Sequence, residues 1–218
     1  MVLSSLGKTM TPEQVMAGLP VNKDPDGNEL GTLNQELATW CIKQGYKVTM
    51  YSADFQILDL LWSHLEKDML LERMKLALGH HHVANLSDQL SDRYLQSYID
   101  FIEAGGELHI EQYMSSRLLD QLLNSGPLVA AVSYFVLWNC GRVVNPGLRE
   151  NQFDDIDGHL GTHSIVIYGK DDTGKYMVAD PWMEPGLHTV ESELLLAAMT
   201  SSETECDNLI FQLEKLDR

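Results

Sequence analysis

Hydrophobic residues recur along this chain with two different periods, and the changes of period mark out its elements. Thr11-Pro12-Glu13-Gln14 supplies a cap residue, a proline at the first helical position and a glutamine able to close a capping box. A short helix is predicted to run to about Ala17, where Gly18 and Pro20 stop it. A second helix is predicted from about Thr32, with Leu33, Leu37, Trp40 and Cys41 on one face and Gly45 as a left-handed terminator. The β-type run 46–51 follows it. Over residues 54–104 the spacing is helical almost throughout. Ile57, Leu60, Leu61 and Leu65, then Leu70, Met74 and Leu78, then Leu95, Tyr98, Ile99 and Ile102 return every three or four positions. This stretch is read as a helical insert of two or three segments.

Gly105-Gly106 breaks the helical period, and 107–111 alternates as a short strand with Leu108 and Ile110 on one face. Ser115 or Ser116 is placed to cap a helix ending near Asn124. Residues 126–134 are continuously apolar, as a buried central strand requires. A long loop over 144–162 leads into a strand that opens at His163, Asp172-Thr173-Gly174 turns a hairpin, and a last helix over 191–199 precedes a closing strand over 208–213. Helices and strands in this order predict an α+β fold with a mostly antiparallel C-terminal sheet. The expected organisation is a single domain, 1–218, containing the insert 54–104.

Composition narrows the function classes. The 218 residues are 44% hydrophobic and 22% charged, which suits a globular chain able to bury a sizeable core. Fifteen basic against thirty-two acidic residues leave a formal net charge of −17, so the average field repels phosphate backbones and nucleic acid is not an expected partner. No apolar run approaches the roughly 20 residues of a membrane helix, and the first residues lack the basic region of a secretory signal. Cys41, Cys140 and Cys206 are widely spaced and odd in number, which argues for reduced thiols and a cytoplasmic location. His80-His81-His82 is read as a solvated helix end, because adjacent helical histidines point in different directions and no ligand type stands at i+4. The loops beginning at Asn22 and Asp154 partly imitate calcium loops. Leu33 and Ser164 stand where the bidentate glutamate belongs, so neither a metal nor any other cofactor is expected.

The candidate chemistry lies in the C-terminal strands. His163 opens one apolar run and Asp180 closes the next, with a glycine turn between them. A histidine acts as general base when a carboxylate fixes its tautomer and leaves the other nitrogen to face a nucleophile. The same spacing also suits a strand-end histidine and an aspartate that merely opens an Asp-Pro turn, and the spacing does not choose between the two. His159 is the second candidate base. Of the cysteines, Cys41 falls on an apolar helix face, Cys140 lies in an Asn139-Cys140-Gly141 turn, and Cys206 stands among acidic neighbours that disfavour a thiolate.

Gly161-x-His163-x-Ile165-Val166-Ile167-x-Gly169, the turn from Asp171 to Gly174 and Val178-x-Asp180-Pro181-Trp182 together resemble the C-terminal half of the bacteriocin-processing-type cysteine peptidases, a branch of the papain-like fold. Ser125-Gly126-Pro127-Leu128-Val129 resembles that family's strand after a short helix. The opening Met1-Val2-Leu3-Ser4-Ser5-Leu6-Gly7-Lys8, with Thr11-Pro12-Glu13, resembles the stretch just downstream of its nucleophile helix. The resemblance covers most of the chain outside 54–104. It implies a papain-like cysteine peptidase fold, with His163 as catalytic base, Asp180 as its orienting partner, and a peptide or protein as substrate. The family's nucleophile is a cysteine in a Cys-Gly-Pro-like motif at a helix N-terminus, preceded by an oxyanion glutamine, and neither has a counterpart here. The expectation is therefore a peptidase-like hydrolase of peptide or amide bonds, shortened at its N-terminus and inactive as given. The alternatives are a non-catalytic peptide-binding relative and an amide-transferring enzyme on the same scaffold.

Overall fold

The computed structural model of the chain describes residues 2–20, 22–23, 29–80, 88–144, 153–158, 161–183, 186–202 and 208–216. The class is α+β, and the chain divides into two compact units, Met1–Gln112 with Leu213–Arg218, and Tyr113–Gln212. Among the described residues no helix is long and apolar enough to cross a membrane.

The first unit opens with α1 (Val2–Ser5), closed by Gly7 at φ 78° with Lys8 N–H bonded to the Leu3 carbonyl at 2.8 Å. In α2 (Pro12–Met16) the expected capping box is present: Gln14 N–H donates to Thr11 Oγ1 and Thr11 N–H to Gln14 Oε1. The pair β1 (Asn22–Lys23) and β2 (Glu29–Gly31) leads to α3 (Asn34–Lys43), which buries Ala38, Trp40 and Cys41. Gly18 is needed beside it, since a Cβ there would stand 2.2 Å from Trp40 Nε1. Gly45, at φ 90°, turns the chain into β3 (Tyr46–Ser52), whose Tyr46, Val48, Met50 and Ser52 are buried in alternation.

The stretch 54–104 holds a 3-10 helix, Leu60–His64, followed by α4 (Lys67–Ala77) and α5 (Asp88–Glu103). Ile57, Leu70, Met74, Leu95, Tyr98, Ile99 and Ile102 are buried as their spacing predicts. Leu60 and Leu61 are exposed instead, because three residues per turn do not carry an α-helical stripe. Tyr98 ties α5 to the end of β3 through its hydroxyl, 2.8 Å from Ser52 Oγ and 3.4 Å from Asp54 Oδ2. After Gly105 and Gly106, β4 (Glu107–Ile110) runs parallel to β3, with Thr49 opposite Glu107 and Ser52 opposite Ile110.

The second unit begins with α6 (Ser116–Leu123), capped by Ser115 Oγ, and β5 (Leu128–Ser133), whose six residues are all buried. The apolar run does not remain a strand through Tyr134 as expected. It coils into α7 (Tyr134–Trp138), burying Tyr134 and Leu137 three positions apart and ending on Asn139 at φ 48°. Then come β6 (Thr162–Lys170), β7 (Tyr176–Ala179), β8 (Leu187–Val190), α8 (Ser192–Ser201) and β9 (Leu209–Lys215). Strand β5 pairs with β6 and β9, β6 with β7, and β7 with β8, all antiparallel. The Asp171 carboxylate accepts from the N–H groups of Thr173 and Lys175, and Gly174 takes φ 86°, which closes the β6–β7 hairpin where the sequence places it. Helix α8 packs Leu195, Ala198 and Met199 into the core of this unit.

Candidate active site

Three elements of the second unit build one polar corner. Strand β6 carries His163 opposite Val132 of β5. Across the other edge of β6, Val166 faces Ala179, so Asp180, one residue further along, falls opposite Ile165 and on the sheet face that His163 shares. The expected hydrogen bond is present: His163 Nε2 lies 2.8 Å from Asp180 Oδ2. The His163 side chain is 17% exposed and the Asp180 side chain is not exposed at all, so this is a buried pair rather than a screened surface contact.

Asp180 is held by more than the histidine. The Trp138 indole N–H donates to the same Oδ2 at 2.8 Å, and the Trp182 backbone N–H donates to Oδ1 at 2.8 Å, across the turn that Pro181 makes. The backbone N–H of Asp180 is fixed to the Gly186 carbonyl at 2.8 Å. Burial pushes the Asp180 carboxyl up. The hydrogen bond and charge of His163, the Trp182 N–H and the Trp138 indole outweigh it, and the group is held below the usual aspartate range. It is therefore a carboxylate at neutral pH and can only accept.

Because Oδ2 only accepts, His163 Nε2 carries its proton, and Nδ1 is the basic nitrogen of the neutral ring. That nitrogen is buried and has no hydrogen-bond partner among the described residues. The ring is walled by aromatics, with Trp182 edge-on at 5.2 Å between centroids and Tyr134 tilted at 5.9 Å. Tyr134 and Trp182 meet each other edge to face at 4.4 Å. Gly161 leaves room for this wall, since a Cβ there would lie 2.7 Å from the Tyr134 ring. The corner is thus a fixed imidazole with one nitrogen saturated by a carboxylate and the other buried and unpartnered among the described residues.

The remaining candidates separate from this corner. Cys140 follows α7, its thiol donates to the Tyr134 carbonyl at 3.7 Å, and burial pushes its pKa up, so it is no poised thiolate. Cys41 belongs to the first unit, buried on α3 and pushed up to about 12 by burial. His80 is exposed beyond the end of α4. His81, His82, His159 and Cys206 lie outside the described residues, as does most of the loop that starts at Asn22. The Asp154 carboxylate caps its own turn by accepting from the Ile156 and Asp157 N–H groups. Among the described residues no three His, Cys, Asp or Glu side chains gather to hold a metal ion.

Trp138 and Tyr134 are the site residues that sequence reasoning missed. The signal was present: an indole next to an apolar strand must find an acceptor when it is covered, and the nearest acidic candidate on the sheet was already Asp180. No family model, curated protein or solved structure matches the chain.

Proposed function

We propose that the second unit carries the base-and-orienter half of a cysteine-type hydrolase of peptide or amide bonds, on a papain-like scaffold. One observation carries this reading: a buried carboxylate saturates His163 Nε2 while Nδ1 has no partner among the described residues. In the reaction, Nδ1 takes the proton of a thiol and Asp180 stabilises the imidazolium. The thiolate sulfur bonds to the substrate carbonyl carbon, and the imidazolium then protonates the departing amine as the carbon–nitrogen bond breaks. Water, losing a proton to Nδ1, hydrolyses the thioester and releases the acid and the thiol.

Burial raises the thiol pKa of Cys41 and of Cys140, which argues against either as the activated nucleophile. The resemblance to the bacteriocin-processing peptidases implies a cysteine nucleophile in a Cys-Gly-Pro-like segment at a helix N-terminus. The free thiols of Cys41 and Cys140 support a reducing, cytoplasmic setting. The test is to join a helix opening with Cys-Gly-Pro ahead of Val2 and to assay a fluorogenic peptide library with and without His163→Ala. Hydrolysis lost in the His163→Ala form supports the enzyme. A stable extended protein that binds peptides at this corner but neither cuts them nor reacts with thiol-directed peptide inhibitors leaves the binding-module reading.

A further inference from the structure

The first unit presents a second place where a peptide could be held, unrelated to the histidine corner. Strand β4 ends the strand order, so one of its edges faces no other strand. The phase of its pairing decides which groups lie on that edge. Glu111 N–H donates to the Ser52 carbonyl at 2.8 Å, and Ser52 stands opposite Ile110. In a parallel ladder this points the main-chain groups of His109 and Glu111 toward β3 and those of Leu108 and Ile110 away from it. Among the described residues nothing bonds to those outward N–H and C=O groups.

The free edge is one wall of a groove of about 490 Å³ that follows the chain continuously from Gly105 to Glu111, with residues around Leu65 and Leu70 opposite. The two faces of β4 differ. Leu108 and Ile110 share one face of β4, half-buried and buried, and Leu65, Leu70 and Ile102 are the apolar residues that line the groove with them. Glu107, His109 and Glu111 occupy the other face, and Glu66 and Lys67 also line the groove, while Lys47 lies 3.9 Å from Glu107. His109 is already engaged, stacked on Tyr51 at 4.9 Å and bonded to Glu107 at 3.1 Å. The Tyr51 hydroxyl is pushed up by burial and then by Glu107, Glu111 and Glu214, which reports the negative field on that face.

We propose that this edge docks an extended basic peptide segment as an added strand. Its main chain pairs with Leu108 and Ile110, and its side chains alternate between apolar residues against Leu65, Leu70 and Ile102 and lysines or arginines against Glu66, Glu107 and Glu111. A second copy of this chain fits poorly, since it would bring the same carboxylates to the same edge.

The probe is acetyl-Lys-Val-Lys-Val-Lys-amide, titrated into the whole chain while backbone amide shifts are followed. The largest shifts are expected at Leu108 and Ile110, and binding should weaken with added salt. Methylating the amide nitrogens of alternate peptide residues removes only the bonds to β4 in one phase and only outward groups in the other. One methylated peptide should therefore bind about tenfold weaker and the other about as well as the parent, the loss expected for one or two main-chain bonds. Leu108→Pro, which deletes an unpaired N–H on an edge strand, should give the same loss without unfolding the unit. The analogue acetyl-Glu-Val-Glu-Val-Glu-amide should not bind. The proposal is overturned if the basic peptide fails to bind at millimolar concentration, if both methylated peptides bind equally, or if the shifts gather around His163. It is also overturned if the free chain self-associates through this edge and Leu108→Pro makes it monomeric.

Discussion

Among the described residues the chain holds two histidine–carboxylate pairs that look alike on paper and differ in kind. His109 and Glu107 sit two residues apart on one face of β4, with Nε2 3.1 Å from Oε1 and side chains 43% and 52% exposed. His163 and Asp180 come from different strands seventeen residues apart, with Nε2 2.8 Å from Oδ2 and side chains 17% and 0% exposed. Each imidazole also lies against aromatic rings. The difference is what surrounds the carboxylate. Glu107 is shared with Lys47 at 3.9 Å and bathed by solvent, whereas Asp180 receives three donors and little else. A histidine beside an acid is therefore no sign of chemistry until the acid is buried, ionised and fully occupied, so that it dictates which ring nitrogen keeps the proton.

The comparison breaks most visibly at Asp180. Asp180→Ala should cost about 3 kcal/mol in urea unfolding, because it strands three donors that have no other acceptor in a covered site. Asp180→Asn should cost about 1–3 kcal/mol, since one amide oxygen cannot replace two carboxylate oxygens and at least one donor then meets an NH₂ group. Losses below about 1 kcal/mol for both variants would place the pair in the same class as the exposed one.

The pH dependence carries a defined sign. Asp180 is held below the ordinary aspartate value in the folded chain. The stability it contributes is present above its unfolded value, about 3.9, and is lost as pH falls through the lower folded value. The contribution of the ionised Asp180 to the difference in unfolding free energy between wild type and Asp180→Asn should shrink as pH falls below about 4. A difference that keeps growing as pH falls below about 4 would mean that the carboxyl is held above, not below, its usual range.

Much of this corner was legible because local rules and the global fold agree there. The apolar run after His163 gave β6, an aspartate and a glycine gave its hairpin, and the length of the hairpin brought Asp180 back beside His163. The capping box of α2 and the fully apolar β5 were read for the same reason. Helix α7 was not, because a five-residue apolar run carries no period that separates strand from helix. With α7 went Trp138 and Tyr134, whose roles depend on a helix placed over the strand ends. Strand β8 was missed as well; four residues with Leu187 exposed and only Val190 buried give almost no hydrophobic signal.

Trp138→Phe sharpens the contrast at one bond. It removes a single donor from Oδ2 and keeps most of the packing, so the expected cost is about 1 kcal/mol. The Asp180 carboxyl should rise, because one of the groups holding it down is gone, and a carboxyl-labelled NMR titration reads this directly. A wild-type titration in the variant would mean that the indole contact contributes shape alone. In the same spectra, alkylation at Cys140 should proceed at the same slow rate with or without His163→Ala, since its thiol is turned to the Tyr134 carbonyl.

The smallest effect is expected at the exposed pair, and it is the control that gives the others meaning. Glu107→Gln keeps the shape of the side chain and removes the charge that faces both His109 and Lys47. Pairs this exposed contribute about 0–1 kcal/mol, and Lys47 retains Glu214 at 3.6 Å as a second partner. The unfolding free energy should therefore move by less than about 0.5 kcal/mol at low ionic strength and by nothing measurable in 1 M salt, where the screening length is about 3 Å. A loss at Glu107 as large as that of Asp180→Asn, or one that survives high salt, would mean that burial is not what separates the two pairs, and the case for His163 would have to rest on its open nitrogen alone.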